Sequence, residues 1–298
     1  MNLKLLTGTA LLVTAAPLLS QTASSQTTAS SQTTAKKVYM VTDMEGVHGI
    51  FNWEEQCRPY QSPRWAESVK LLTGEVNAAV DGLMAGGATE VVVADLHNSS
   101  RTLSTLDVDP RAKLLQGKTI PPKLGLDASY SAVIFVGQHA MAGAPNAVIP
   151  HSGSFVIENM WLNNMLVGEI ATRVLLGGYY GVPAIMLAGD TAACKELRDL
   201  VPGAECAEVK TALSPESGIS LSHAAACALI RQKAQRAMKR LAEFKPYRLT
   251  GPVELKVQFK KGNSAPHPTK PGTERIDDLN VVYRGTDLLD GWLKWGDF

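Results

Sequence analysis

The sequence predicts an α/β protein, a three-layer α/β/α fold with a mostly parallel sheet and a smaller C-terminal lobe from about residue 205 onward. Three observations lead there. Short β-branched runs stand almost free of polar residues, as strands buried on both faces do. Segments with apolar residues at helical spacing lie between them. That alternation places a parallel sheet between two layers of helices.

Val38–Thr42 reads as the first strand. Trp65–Ala85 follows as a helix, with Val69, Leu72, Val76, Ala79, Val80 and Leu83 on one face and a stop signal at Gly86-Gly87. Val91–Leu96 is nearly continuous in β-branched residues, and Ser131–Val136 is a second such run ending at Gly137. Gly168–Tyr180 reads as a helix, Pro183–Ala188 as a strand and Ala192–Leu200 as a helix. His223–Phe244 is a long amphipathic helix with a basic outer face, and Val253–Phe259 alternates like a half-buried strand.

The N-terminus reads differently. Met1–Lys4 is a short basic start and Leu5–Leu19 is mostly apolar, the pattern of a signal peptide over residues 1–20. Two copies of Ser-Ser-Gln-Thr-Thr-Ala, at Ser24–Ala29 and Ser30–Ala35, fall in a Ser/Thr/Gln-rich linker over residues 21–36. The linker is too polar to bury surface of its own. Residues 37–298 are the folded domain. The expectation is an exported protein, periplasmic or extracellular, with no stable membrane span once the leader is cut.

The chain has 298 residues, 45% hydrophobic and 19% charged, with a net charge of +1. With Lys4 set aside, residues 36–298 carry 28 charges of each sign. That balance, with only 6% aromatic residues, argues against a nucleic acid partner. The basic face of Arg231–Lys245 is read as a solvated helix surface. Cys57, Cys194, Cys206 and Cys227 contain no CxxC pair and are not read as metal ligands; disulfides and buried thiols both stay open.

The chemistry lies where strands end. Asp43 closes the first strand, with Glu45 two residues on; His97 follows the strand ending at Leu96, and His139 follows the strand ending at Val136. Open α/β sheets bind ligands at the carboxyl ends of their strands. Carboxylates and imidazoles together suit Zn²⁺, Mn²⁺ or Fe²⁺. The surplus of ligands over what one ion needs points to two metals bridged by Asp43. A metal pair polarises a carbonyl or phosphoryl oxygen and ionises a water, so hydrolysis of either an amide or a phosphoester remains open. Around this set, Gly46 allows close backbone approach, Asp95 is placed to orient a ligand and Asp190 to cap a helix. His48 is a further candidate beside the site, His223 reads as a helix-start residue and His267 as a surface residue.

Tyr39-Met40-Val41-Thr42-Asp43-Met44-Glu45-Gly46 resembles the Ser-x-Asp-x-Glu-Gly signature of the bacterial D-aminopeptidases, a family of dinuclear zinc peptidases. Ala94–Ser99 resembles that family's Asn-Asp-x-His-Ser segment, Gly137–Ala140 its Gly-x-His-Ala, and His151-Ser152 its His-Ser. Val167–Glu169 and Val182–Asp190 also match in order. The resemblance implies that residues 37–298 are a zinc aminopeptidase domain holding two Zn²⁺ per subunit. In it Asp43 bridges the ions, Glu45 and His97 complete one site, His139 and Glu169 complete the other, and His151 is the catalytic histidine. The last two rest on the resemblance alone. It also implies a homo-oligomer, a decamer in the family, that releases N-terminal D-residues, notably D-Ala, from short peptides. Thr42 stands where the family has Ser, Asn98 departs from its Ser, and the C-terminal helix is short. Two rivals are a metal-dependent phosphoesterase, which needs cations beside the ligands, and a non-catalytic exported peptide-binding protein, which would have lost a ligand.

Overall fold

The computed structural model describes Met1 and residues 35–98, 100–117 and 125–295. The expected signal peptide and nearly all of the linker lie outside the described residues. From Ala35 onward the chain forms one compact unit.

Its elements in order are β1 (Lys37–Thr42), α1 (Trp65–Ala85), β2 (Glu90–Asp95), β3 (Ala112–Leu115), β4 (Ala132–Gln138), β5 (Ile157–Leu162), β6 (Met165–Leu166), α2 (Glu169–Tyr179), β7 (Ala184–Asp190), α3 (Thr191–Leu200), β8 (Glu205–Ser214), β9 (Ser217–Ser220), α4 (His223–Lys239), β10 (Val253–Phe259), β11 (Thr273–Arg275), β12 (Asn280–Gly285) and α5 (Leu288–Trp295). A short helical turn at Trp53–Cys57 precedes α1.

The main sheet runs β3-β2-β1-β4-β7-β8-β9. All its pairs are parallel except β8 with β9. Every residue of β4 and β7 is buried, which is why those strands read as unbroken apolar runs. Helices α1 and α4 pack on each other and on the sheet, while α2 and α3 form a second packed pair against β4, β7 and β8. The expected three layers are present.

The smaller lobe is built differently from the expectation. It does not begin at residue 205, because β8 and β9 extend the main sheet beside β7. A five-stranded antiparallel sheet, β11-β12-β10-β5-β6, combines chain from before α2 with the C-terminal strands, and α5 packs on β10 and β12. The basic helix α4 stops at Lys239 rather than Phe244, with a single 3₁₀ turn following at Leu241–Glu243.

Sheet order decides where the site can be. β1 lies between β2 and β4, and the chain leaves it toward β2 on one side while β4 and β7 build the other. That reversal opens a crevice at the strand ends. Gly46 seats the loop after β1 against the end of β4: its N–H donates to Gly137 O at 2.7 Å, and a Cβ there would meet Gln138 O at 2.1 Å. Gly137, at φ +73°, returns the approach against Asp43 O.

Candidate metal centre

Because β1 is central, Asp43 emerges between the ends of its two neighbours. One oxygen faces each way. Oδ1 lies 3.0 Å from His97 Nδ1, after β2, and Oδ2 lies 3.4 Å from His139 Nε2, after β4. Glu45 Oε2 joins the first side at 3.3 Å from His97 Nδ1. Glu169, the first residue of α2, joins the second with Oε1 at 3.5 Å from His139 Nε2. His151 Nε2 is 3.8 Å from the same Glu169 oxygen. The five strand- and helix-end residues named for metal thus converge, and so does His151. They fall into two clusters, Asp43/Glu45/His97 and His139/His151/Glu169, with the candidate ligand atoms of each within 4.8 Å of one another.

The imidazole tautomers are set by backbone carbonyls. His97 donates from Nε2 to Cys57 O at 2.7 Å, and His139 donates from Nδ1 to Ala140 O at 2.9 Å. Each neutral ring therefore turns a lone pair toward two carboxylates. Lone pairs facing carboxylates repel unless a proton or a metal ion lies between them. His139 Nε2 is fully buried and has no hydrogen-bond partner. That orphaned atom, with the paired carboxylates and the carbonyl-locked rings, fits two N/O-ligated divalent ions.

The electrostatics agree. Burial alone would raise the Asp43 carboxyl, but the facing His139 and His97 imidazoles outweigh it and hold the group well below the usual carboxylate range. Burial would lower His97 and His139, yet the facing carboxylates hold both well above the ordinary histidine value. His151 goes the other way: burial and the neighbouring His139 lower it, so it stays neutral. Its Nδ1 donates to Ile149 O, which leaves Nε2 as the acceptor, and its ring stacks between His139 and Phe155.

A cavity of about 440 Å³ opens on these groups, walled by Trp53, Phe155 and Trp295 and carrying Arg173. None of these four is apparent in the sequence. Arg173 lies one helical turn after Glu169, and that i+4 spacing is the one signal that could have found it. Gln138 was also missed; its amide donates to Asp43 Oδ2 at 3.0 Å and holds that oxygen toward His139.

Other readings resolve clearly. Asp190 caps α3 through Ala193 N–H. Asp95 orients no ligand directly; it accepts from Thr102 N, Leu103 N and Gln116 and pins the loop that follows His97. His48 lies outside both clusters, held by Glu75 at 2.6 Å and in contact with His223, the first residue of α4. His267 is exposed. All four cysteines are free thiols. Lys210, buried under the loop after β1, donates to the carbonyls of Glu45 and Ile50.

Comparison with known proteins places this geometry. Residues 36–293 match the family model described as D-aminopeptidase. The chain belongs to the D-aminopeptidase family. A D-aminopeptidase of Bacillus subtilis (strain 168) is 31% identical over 263 residues, covering 86% of this chain and 94% of the relative. The solved structure described as "Zn-dependent D-aminopeptidase DppA from Bacillus subtilis, a self-compartmentalizing protease" matches with a TM-score of 0.80 at 28% identity, over 87% of this chain and 95% of its own. Family membership and the paired clusters make this D-aminopeptidase an enzyme, a metallopeptidase with places for two metal ions.

The same comparison corrects the expectation of export. The structural relative is described as self-compartmentalizing, an enclosure made by the protease itself. That description stands against the expectation of a periplasmic or extracellular enzyme. The export reading rested on residues 1–35 alone and is withdrawn. Among the described residues no helix is long and apolar enough to cross a membrane.

Proposed function

We propose that residues 37–298 form a zinc aminopeptidase domain that releases the N-terminal residue, D-Ala or another D-amino acid, from short peptides. Asp43 is shared by two Zn²⁺ positions, with Glu45 and His97 completing one and His139 and Glu169 the other. His151 transfers the proton. The observation that carries this reading is the division of Asp43, with one oxygen toward each histidine.

Bound zinc supplies Lewis acidity to the scissile carbonyl and makes water acidic enough to ionise at neutral pH. The chain's own groups do the rest. Carbonyls of Cys57 and Ala140 keep the lone pairs of His97 and His139 turned inward. Gly153 N–H holds Glu169 Oε1 at 2.8 Å. His151, neutral and with Nε2 free to accept, takes a proton at that atom and returns it to the leaving amine. Trp53 and Phe155 pack against each other with ring centres 4.9 Å apart, and this wall excludes water beside His151.

The description of the structural relative as self-compartmentalizing supports a homo-oligomer here, in its finer form a decamer. The substrate reading is tested by offering the zinc-loaded protein D-Ala peptides, L-Ala peptides and a phosphoester, each with and without a chelator. The expected result is chelator-sensitive release of N-terminal D-Ala. Activity that survives metal removal, or turnover of the phosphoester alone, overturns the reading.

A further inference from the structure

The metal cavity has a neighbour. A second basin of about 460 Å³ shares Gly153, Ser154 and Trp295 with it and opens against the antiparallel lobe. The two differ in charge. Asp43, Glu45 and Glu169 line the first, and Arg173 is the one Lys or Arg among its described lining residues. The ionisable groups lining the second are His267, Lys270 and Lys294, with no carboxylate among the described residues that form it.

The two ammonium groups are held in place with hydrogen bonds to spare. Lys270 Nζ gives one N–H to Leu293 O at 2.6 Å. Lys294 Nζ gives two, to Arg284 O at 2.7 Å and to Asp290 Oδ2 at 2.9 Å. An ammonium has three donors. Two remain on Lys270 and one on Lys294, and both residues line the basin. Asp290 offsets part of the charge of Lys294 but does not line the basin. Among the described residues the second basin offers a carboxylate two ammonium groups and no acidic lining group.

We propose that the second basin receives the free C-terminal carboxylate of the peptide, across Trp295 from the metal centre. The preferred substrates are then short peptides unblocked at both ends, with the amino end in the acidic cavity and the carboxylate between Lys270 and Lys294. This rests on the peptidase reading above and adds to it the part of the substrate that is not cleaved.

The test compares D-Ala-Ala-Ala with its C-terminal amide on the zinc-loaded full chain. The free acid is expected to be favoured about tenfold in kcat/KM, chiefly through KM, as a charge-assisted contact allows. In Lys270→Gln/Lys294→Gln that preference falls to about one. Lys294 also ties α5 to β12, so Lys270→Gln alone serves if the double variant fails to fold; it too is expected to reduce the ratio. An acid-to-amide ratio near one in the unmodified enzyme, or an unchanged ratio in the folded variants, overturns the carboxylate site and leaves the peptidase reading standing. Hydrolysis of neither peptide overturns both.

Discussion

The two sides of the active cavity are built by different rules. The metal side hangs from the parallel sheet: β1, β2 and β4 end together, and their first loop residues are buried, hydrogen-bonded and fixed by backbone carbonyls. The facing side is lined by Phe155, just ahead of β5, and Trp295, at the end of α5, both only partly buried. The contrast teaches a division of labour. Strand ends of a buried sheet carry the candidate ligands, and the partly open lobe beside them supplies part of the cavity wall.

Substitutions can break that division, and the largest effect belongs to the shared carboxylate. Asp43→Asn weakens both metal positions at once and should reduce kcat/KM on the order of 10⁴-fold, read by kinetics alongside metal content. His151→Ala should lower kcat by roughly 10²–10³-fold with two metals retained. Loss of one metal in that variant would instead make His151 a ligand, which its place in the cluster with His139 and Glu169 permits geometrically. On the lobe side, Trp295→Ala should raise KM about three- to tenfold by removing the wall shared by the two basins, with metal content unchanged. An equal loss of metal in Trp295→Ala would show that the two sides are not independent.

The smallest effect on catalysis, and a separate one on stability, is expected at Glu196. Burial raises this α3 carboxyl to about 7 although Met141 N–H donates to it at 2.9 Å. A carboxyl raised on folding favours the folded state fully below its unfolded value, near 4.5, and that advantage is lost as pH rises through about 7. Glu196→Gln does not titrate there. Chemical denaturation of both proteins across this range should show the parent losing up to about 3 kcal/mol relative to the variant. A constant difference between them would contradict the assignment.

What could be read from the sequence follows the same division. Asp43, Glu45, His97 and His139 were legible because apolar strands announce their own ends, and an ionisable residue just past such an end has few places to go. Glu169 and His151 were not: a carboxylate at a helix start is ordinary, and His151 sits in a loop whose position depends on contacts distant in sequence. Only the resemblance to the family named them. A smaller C-terminal lobe is legible but its bounds are not, because its sheet pairs β5 with β10, segments about a hundred residues apart, and short antiparallel strands carry little periodicity. Gln138, inside a strand, gave no sign that its amide would reach Asp43.

Anomalous X-ray scattering at the zinc edge, on crystals of the zinc-loaded chain, tests the central assignment most directly. Two peaks are expected, one on each side of Asp43, with His97 beside the first and His139 beside the second. A single peak, or two peaks with Asp43 touching only one, contradicts the shared-carboxylate centre.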